Sequence, residues 1–115
     1  MSNYDAKFYI GQLVATRGVV DLMKGNKSFS EFVSACLRKY TKCDWGDTCK
    51  DDSAMNDDAV KREDGRLLAV YKFPKDANWT AEHFGYAQES IWIITEFDHN
   101  STTIFFPSEY CWTLT

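Results

Sequence analysis

A chain of 115 residues with 44% hydrophobic and 16% aromatic content holds enough apolar material for one core, so a single domain over 1–115 is expected. The net charge is −4, yet residues 44–64 hold eight acids (Asp44, Asp47, Asp51, Asp52, Asp57, Asp58, Glu63, Asp64) against three bases (Lys50, Lys61, Arg62), a local −5 that leaves the remainder at +1. Such a one-signed segment repels phosphate and attracts cations or basic protein surfaces, which argues against direct nucleic-acid binding; no window approaches the ~18 apolar residues of a membrane span, and "MSNYDAKFYI" lacks the pattern of a leader, so a cytoplasmic location is expected.

In chain order, "KFYIGQLVAT" (7–16) reads as a strand with Gly11 permitting a bend. Thr16 is placed to cap a short helix, "RGVVDLM", stopped by Gly25-Asn26. A longer helix is expected from Ser28, where Ser28 and Glu31 make a capping-box pattern and Phe29, Phe32, Val33, Cys36, Leu37 and Tyr40 recur at helical spacing. A third helix over roughly 52–63 has a thin apolar stripe of Ala54, Met55, Ala59 and Val60, which places it on the surface with its aspartates in water. Asp51, Asp52 and Ser53 suit the positive end of its dipole, and Asp64-Gly65 ends it.

The second half reads as β: "RLLAVYKF" (66–73), a polar connection over 74–89, "SIWIITEF" (90–97) and "STTIFFP" (101–107). A tight turn centred on His99-Asn100 sets Glu96 opposite Thr103, Ile94 opposite Phe105, Phe97 opposite Thr102 and Thr95 opposite Ile104, leaving both faces of the hairpin apolar. The expected class is therefore α+β, a small antiparallel sheet of about four strands with two or three helices packed on it. A two-sided apolar sheet calls for helices on both faces, a partner, or self-association into a homodimer.

The stretch "TKCDWGDTCKDDSAMNDD" (41–58) concentrates the chemistry. Its cysteines do not fit a zinc knuckle, because Cys36, Cys43 and Cys49 are separated by six and five residues where converging thiolates want two to four, and Cys36 lies in a core stripe. Nucleophilic cysteine chemistry needs a neighbouring base, and the two histidines are His83, in the irregular connection, and His99, in the turn. Without a secretory leader the disulfide and glycosylation readings of Cys111, Asn78 and Asn100 carry little weight. No cofactor and no resident metal are expected. Hard oxygen ligands are present in number (Asp44, Asp47, Asp51, Asp52, with Glu96 and Asp98), but their spacing fits no EF-hand loop. In Asp44-Trp45-Gly46-Asp47 the tryptophan is either tucked into the core or stands out as an interface anchor.

"GQLVATRGV", "DWGD", Asp52 and Asn56, "RLLAVY", "IWIITEFD" and "TTIFFPSEY" occur in an order and spacing that resembles a family of small bacterial proteins often labelled plasmid-related. The likeness spans about residues 10 to 110 and is most specific from Trp92 to Tyr110. It implies a chain carried by plasmids, conjugative elements or phages, and it draws attention to Trp45, Asp47, Asn56, Arg66, Tyr71, Trp92, Glu96, Asp98, Thr103, Glu109 and Tyr110. The chain departs from the pattern at His99, where the relatives carry arginine, and in its longer 74–89 connection; Cys43 and Cys49 are not family features.

Two functions follow as expectations. The first is an accessory protein that binds and inhibits a host defence component, such as a CRISPR effector, by presenting Asp44, Trp45, Asp47, Asp51, Asp52, Asp57 and Asp58 to a basic nucleic-acid channel. The alternative is a small cation-dependent hydrolase or transferase with Glu96 or Asp98 as base, Asp47 orienting a cation and Arg66 holding an anionic group. No catalytic motif supports it.

Overall fold

The computed structural model describes residues 7–77, 79 and 89–109. In chain order these form β1 (Gln12–Ala15), α1 (Arg17–Gly25), α2 (Lys27–Thr41), α3 (Lys50–Arg62), β2 (Leu67–Lys72), β3 (Ser90–Thr95), β4 (Ser101–Phe105) and a single 3-10 turn, Pro107–Glu109. The strands make one sheet in the order β1-β4-β3-β2. The α+β class stands, but the sheet is mixed: β1 runs parallel to β4, while the β2/β3 and β3/β4 pairs are antiparallel. The 74–89 connection falls mostly outside the described residues, as do Asn78, His83, Tyr110 and Cys111.

The first strand is shorter than its composition suggests because Gly11 adopts φ +65, and a Cβ there would lie 2.3 Å from the Asn100 carbonyl carbon. The chain turns under Asn100 at this point and enters the ladder only at Gln12, whose N–H donates to the Asn100 carbonyl at 2.9 Å. Thr16 caps α1 as expected, its hydroxyl accepting from the Val19 N–H. The second helix starts earlier than the Ser28 pattern implied. Asn26 ends α1 and also caps α2, its Oδ1 accepting from the Phe29 N–H at 2.9 Å, so Ser28 lies within the first turn. α3 spans Lys50–Arg62 and stops at Glu63, which takes the left-handed conformation (φ 53).

The hairpin register differs from the expected one by two residues: Ile94 faces Thr103, Thr95 faces Thr102 and Trp92 faces Phe105. The turn is wider, closed by the Glu96 N–H on the Ser101 carbonyl and the His99 N–H on the Glu96 carbonyl. A shift of two preserves the side-chain faces, so the two-sided apolar pattern survives the correction. Ile91, Ile93, Thr95, Thr102 and Ile104 point to one face, where α1 and α2 supply Val19, Phe29, Val33, Cys36 and Tyr40. Ile94 and Phe105, from the other face, are also buried.

A chain of hydroxyls ties four segments together inside this core. The Ile10 carbonyl can only accept, so Thr102 Oγ1 donates to it at 2.7 Å. Thr95 Oγ1 therefore donates to Thr102 at 2.7 Å and the Tyr40 hydroxyl to Thr95 at 2.6 Å. Thr95 and Thr102 are fully buried, and satisfying them in series is what makes polar residues tolerable there. Burial pushes the Tyr40 phenol well above its ordinary value of 10, against the opposing pull of its bond to Thr95.

Candidate functional site

The segment Asp44–Thr48 acts first as a seal on the sheet. Backbone groups of Leu68, Val70 and Lys72 point away from β3 and would be an open edge. Gly46 instead forms a parallel bridge with Val70, and the Asp47 N–H donates to the Val70 carbonyl at 2.8 Å. The Val70 N–H donates to Thr48 Oγ1 at 2.9 Å and the Lys72 N–H to Asp47 Oδ2 at 2.8 Å. Asn56, on α3 and 2% exposed, completes the cover, receiving the Leu68 N–H on Oδ1 (3.1 Å) and donating from Nδ2 to the Leu68 carbonyl (2.8 Å). Gly46 is required because its φ is +63 and a Cβ would lie 2.4 Å from the Tyr71 ring.

Trp45 is packed, not presented. It is 6% exposed, its ring centroid lies 5.5 Å from that of Tyr40 and 6.0 Å from that of Phe8, and its Nε1–H donates to Asp57 Oδ1 at 2.9 Å. This corrects its assignment as an exposed anchor: an indole that fills a core and finds an acceptor one helix away has no apolar surface left to offer. Asp57 is correspondingly committed to the indole. Asp44 closes its own turn, Oδ1 accepting from the Gly46 N–H at 3.1 Å, and its carbonyl accepts the Tyr71 hydroxyl at 2.7 Å.

The four residues of the alternative carboxylate site are not brought together. Asp47 bonds Lys72, at the end of β2 paired with Ser90, whereas Arg66 precedes Leu67, paired with Thr95, and Glu96 and Asp98 follow Thr95. Five residue steps of strand separate the two ends, about 17 Å at ~3.4 Å per residue. Asp98 is occupied locally, accepting the Asn100 N–H and Nδ2–H at 3.0 Å each. Among the described residues no three His, Cys, Asp or Glu side chains converge as metal ligands. His99 has the expected turn conformation (φ 55) but is also buried, with Nε2 2.7 Å from the Gly65 carbonyl, to which it must donate. Glu109, also singled out by the resemblance, accepts the Thr16 hydroxyl and the Phe106 N–H on Oε1 at 2.8 Å each, beside the positive end of α1.

Among the described residues no thiol is paired with an activating base. Cys36 is buried, which pushes its thiol from 9.0 up to about 12. Burial also raises half-buried Cys43, and Cys49 is exposed at the start of α3.

What does face outward is one side of α3. Asp51, Met55, Asp58 and Arg62 fall at i, i+4, i+7 and i+11 and make a single stripe. Met55 is 65% exposed, so the expected apolar stripe is divided: Ala59 is buried while Met55 points to solvent. Beside the stripe lies a groove of 390 Å³ between α3, the start of β2 and the turn after β3, bordered by Asp52, Met55, Asp58, Arg66 and Phe97. Phe97 is also 65% exposed. Asp58 is held by Arg62 (Nε to Oδ2, 2.8 Å), an exposed pair of little energetic weight. Neither Met55 nor Phe97 was expected at the surface; for Met55 the available signal was an apolar residue set between aspartates at helical spacing, whereas Phe97, in the turn after β3, carried no such signal.

Comparison with known proteins found no matching family model, no matching curated protein and no matching solved structure. The functional reading therefore rests on the α3 face and its groove.

Proposed function

We propose that this chain is a protein-binding module that docks a basic partner surface on the α3 face, with Met55 and Phe97 as apolar contacts and Asp51, Asp52 and Asp58 as the charged surround. The observation that carries the reading is the coincidence of two large, 65% exposed apolar side chains with Asp52 and Asp58 around one groove, Asp51 lying on the adjoining stripe of α3. Exposed aromatic and methionine side chains ringed by polar groups are the usual composition of an interface centre; the rim itself is mixed, with Asp52 and Asp58 beside Arg62 and Arg66, so the field that steers a basic partner is the local −5 of residues 44–64 as a whole. Asp44 and Asp47 add to the field from the sealing loop, while Trp45 and Asp57 hold the helix in place. The resemblance to plasmid-related proteins narrows the proposed partner to a host defence protein with a basic nucleic-acid channel, a CRISPR effector being the first to test, and the proposed outcome is inhibition by occupancy of that channel.

The test is DNA cleavage by purified CRISPR effectors with and without the chain, together with titration calorimetry across a salt series. Inhibition that weakens with salt and is lost in Asp51→Lys/Asp58→Lys and in Phe97→Ala, with unfolding temperatures retained, supports the proposal. Truncating a central aromatic contact costs on the order of 2 kcal/mol, about 30-fold in affinity. Binding that ignores both the salt and the α3 substitutions refutes it.

A further inference from the structure

The two edges of the sheet are treated differently. β2 is sealed by Thr48, Asp47 and Asn56 and by the Gly46 bridge, whereas β1, at the opposite edge, carries none of that cover among the described residues. In its parallel pairing with β4 the N–H groups of Gln12 and Thr16 donate to the Asn100 and Ile104 carbonyls, which by alternation turns the N–H and C=O of Leu13 and Ala15 outward. Leu13 is 44% and Val14 40% exposed. The strand Gln12-Leu13-Val14-Ala15 has no charged side chain, the commonest device for keeping an edge unpaired.

We propose that β1 pairs antiparallel with β1 of a second copy, joining two four-stranded sheets into one across a two-fold axis through Val14. The hydrogen-bonding groups of this edge are self-complementary. With Val14 opposite its own symmetry mate, Leu13 of each copy faces Ala15 of the other, and the outward N–H and C=O of these residues exchange four bonds. The side chains match in size, since each Leu13 meets the small Ala15. On the helix side a 500 Å³ apolar groove bordered by Leu13, Ala15, Val20, Met23, Val33 and Leu37 lies where the neighbouring Leu13 would project.

Charge favours a second copy over an unrelated strand. The acidic segment 44–64 sits at the β2 edge, so pairing through β1 places the two −5 segments at opposite ends of the joined sheet and brings the near-neutral remainders together. The α3 faces stay exposed, and the inference stands independently of what binds them.

Sedimentation equilibrium on the full chain, with circular dichroism as a check on folding, tests this. The expected result is twice the chain mass for the unsubstituted protein and the single-chain mass for Val14→Lys at unchanged unfolding temperature, because two lysines would face each other on the axis. A second variant, Val14→Cys, should form a disulfide joining the two introduced thiols when treated with oxidised glutathione, which is itself reduced to two thiols, since opposed residues of a non-hydrogen-bonded antiparallel pair have Cα atoms about 4.5 Å apart, within disulfide reach. An unsubstituted chain that stays at single-chain mass at NMR concentrations overturns the proposal. So does a dimer that survives Val14→Lys, or a folded Val14→Cys dimer that forms no such bridge.

Discussion

Replacing Asn56 by alanine tests whether α3 seals the sheet. The substitution removes two hydrogen bonds at 2.8 and 3.1 Å and strands the N–H and C=O of Leu68 beneath a helix whose contact point is 2% exposed. Each stranded group costs about 1–3 kcal/mol, less whatever a water recovers in the space vacated, so the expected loss is about 3 kcal/mol. With a urea slope of about 1.5 kcal/mol/M this lowers the midpoint by about 2 M, read by tryptophan fluorescence or circular dichroism. Asn56→Asp sharpens the assay. It keeps an acceptor for the Leu68 N–H but sets a carboxylate oxygen against the Leu68 carbonyl, so its stability should improve as the solution is acidified and the carboxyl protonates. Faster hydrogen exchange at the Leu68 amide should accompany Asn56→Ala, which leaves that N–H without its acceptor. A loss below about 0.5 kcal/mol in Asn56→Ala, with Leu68 still protected, refutes the sealing role.

Gly46→Ala forces a side chain into the Tyr71 ring in a left-handed conformation and is expected to cost about 2–4 kcal/mol, with a shift in the emission of the neighbouring Trp45. Cys49 caps α3 with no side-chain hydrogen bond, so Cys49→Ser should stabilise by about 0.5–1 kcal/mol and remove the labelling of the exposed thiol among the described residues; Cys36 should resist iodoacetamide until the chain unfolds. Stability should also fall at alkaline pH. The folded-state values of Cys36, Tyr40 and Tyr71 are raised by burial, so their contribution is whole below the ordinary values of 9.0 and 10 and is lost as pH rises above them, through about 12 for Cys36. While a group is ionised only in the unfolded chain the slope is about −1.4 kcal/mol per pH unit, and a flat profile between pH 9 and 11 would contradict the burial of all three.

The sequence by itself determined what depends on neighbours along the chain. The helical period of Phe29, Val33, Cys36, Leu37 and Tyr40, the Thr16 cap, the alternation of the hairpin and the acidic character of 44–64 were all legible, because each is set by local stereochemistry or composition. Tertiary structure decided what those residues are for. That β1 pairs parallel with β4 depends on a left-handed Gly11 meeting Asn100, a contact between residues 89 positions apart in the chain. That Trp45 is core and Met55 is surface depends on which side of α3 meets the sheet, and Asn56 fixes this by bonding the Leu68 backbone. The aspartates near "DWGD" looked alike as letters. Buried polar groups must be paired wherever the fold places them, and that requirement turned Asp47 and Asp57 into structural partners while leaving Asp51, Asp52 and Asp58 facing outward or along the groove beside α3.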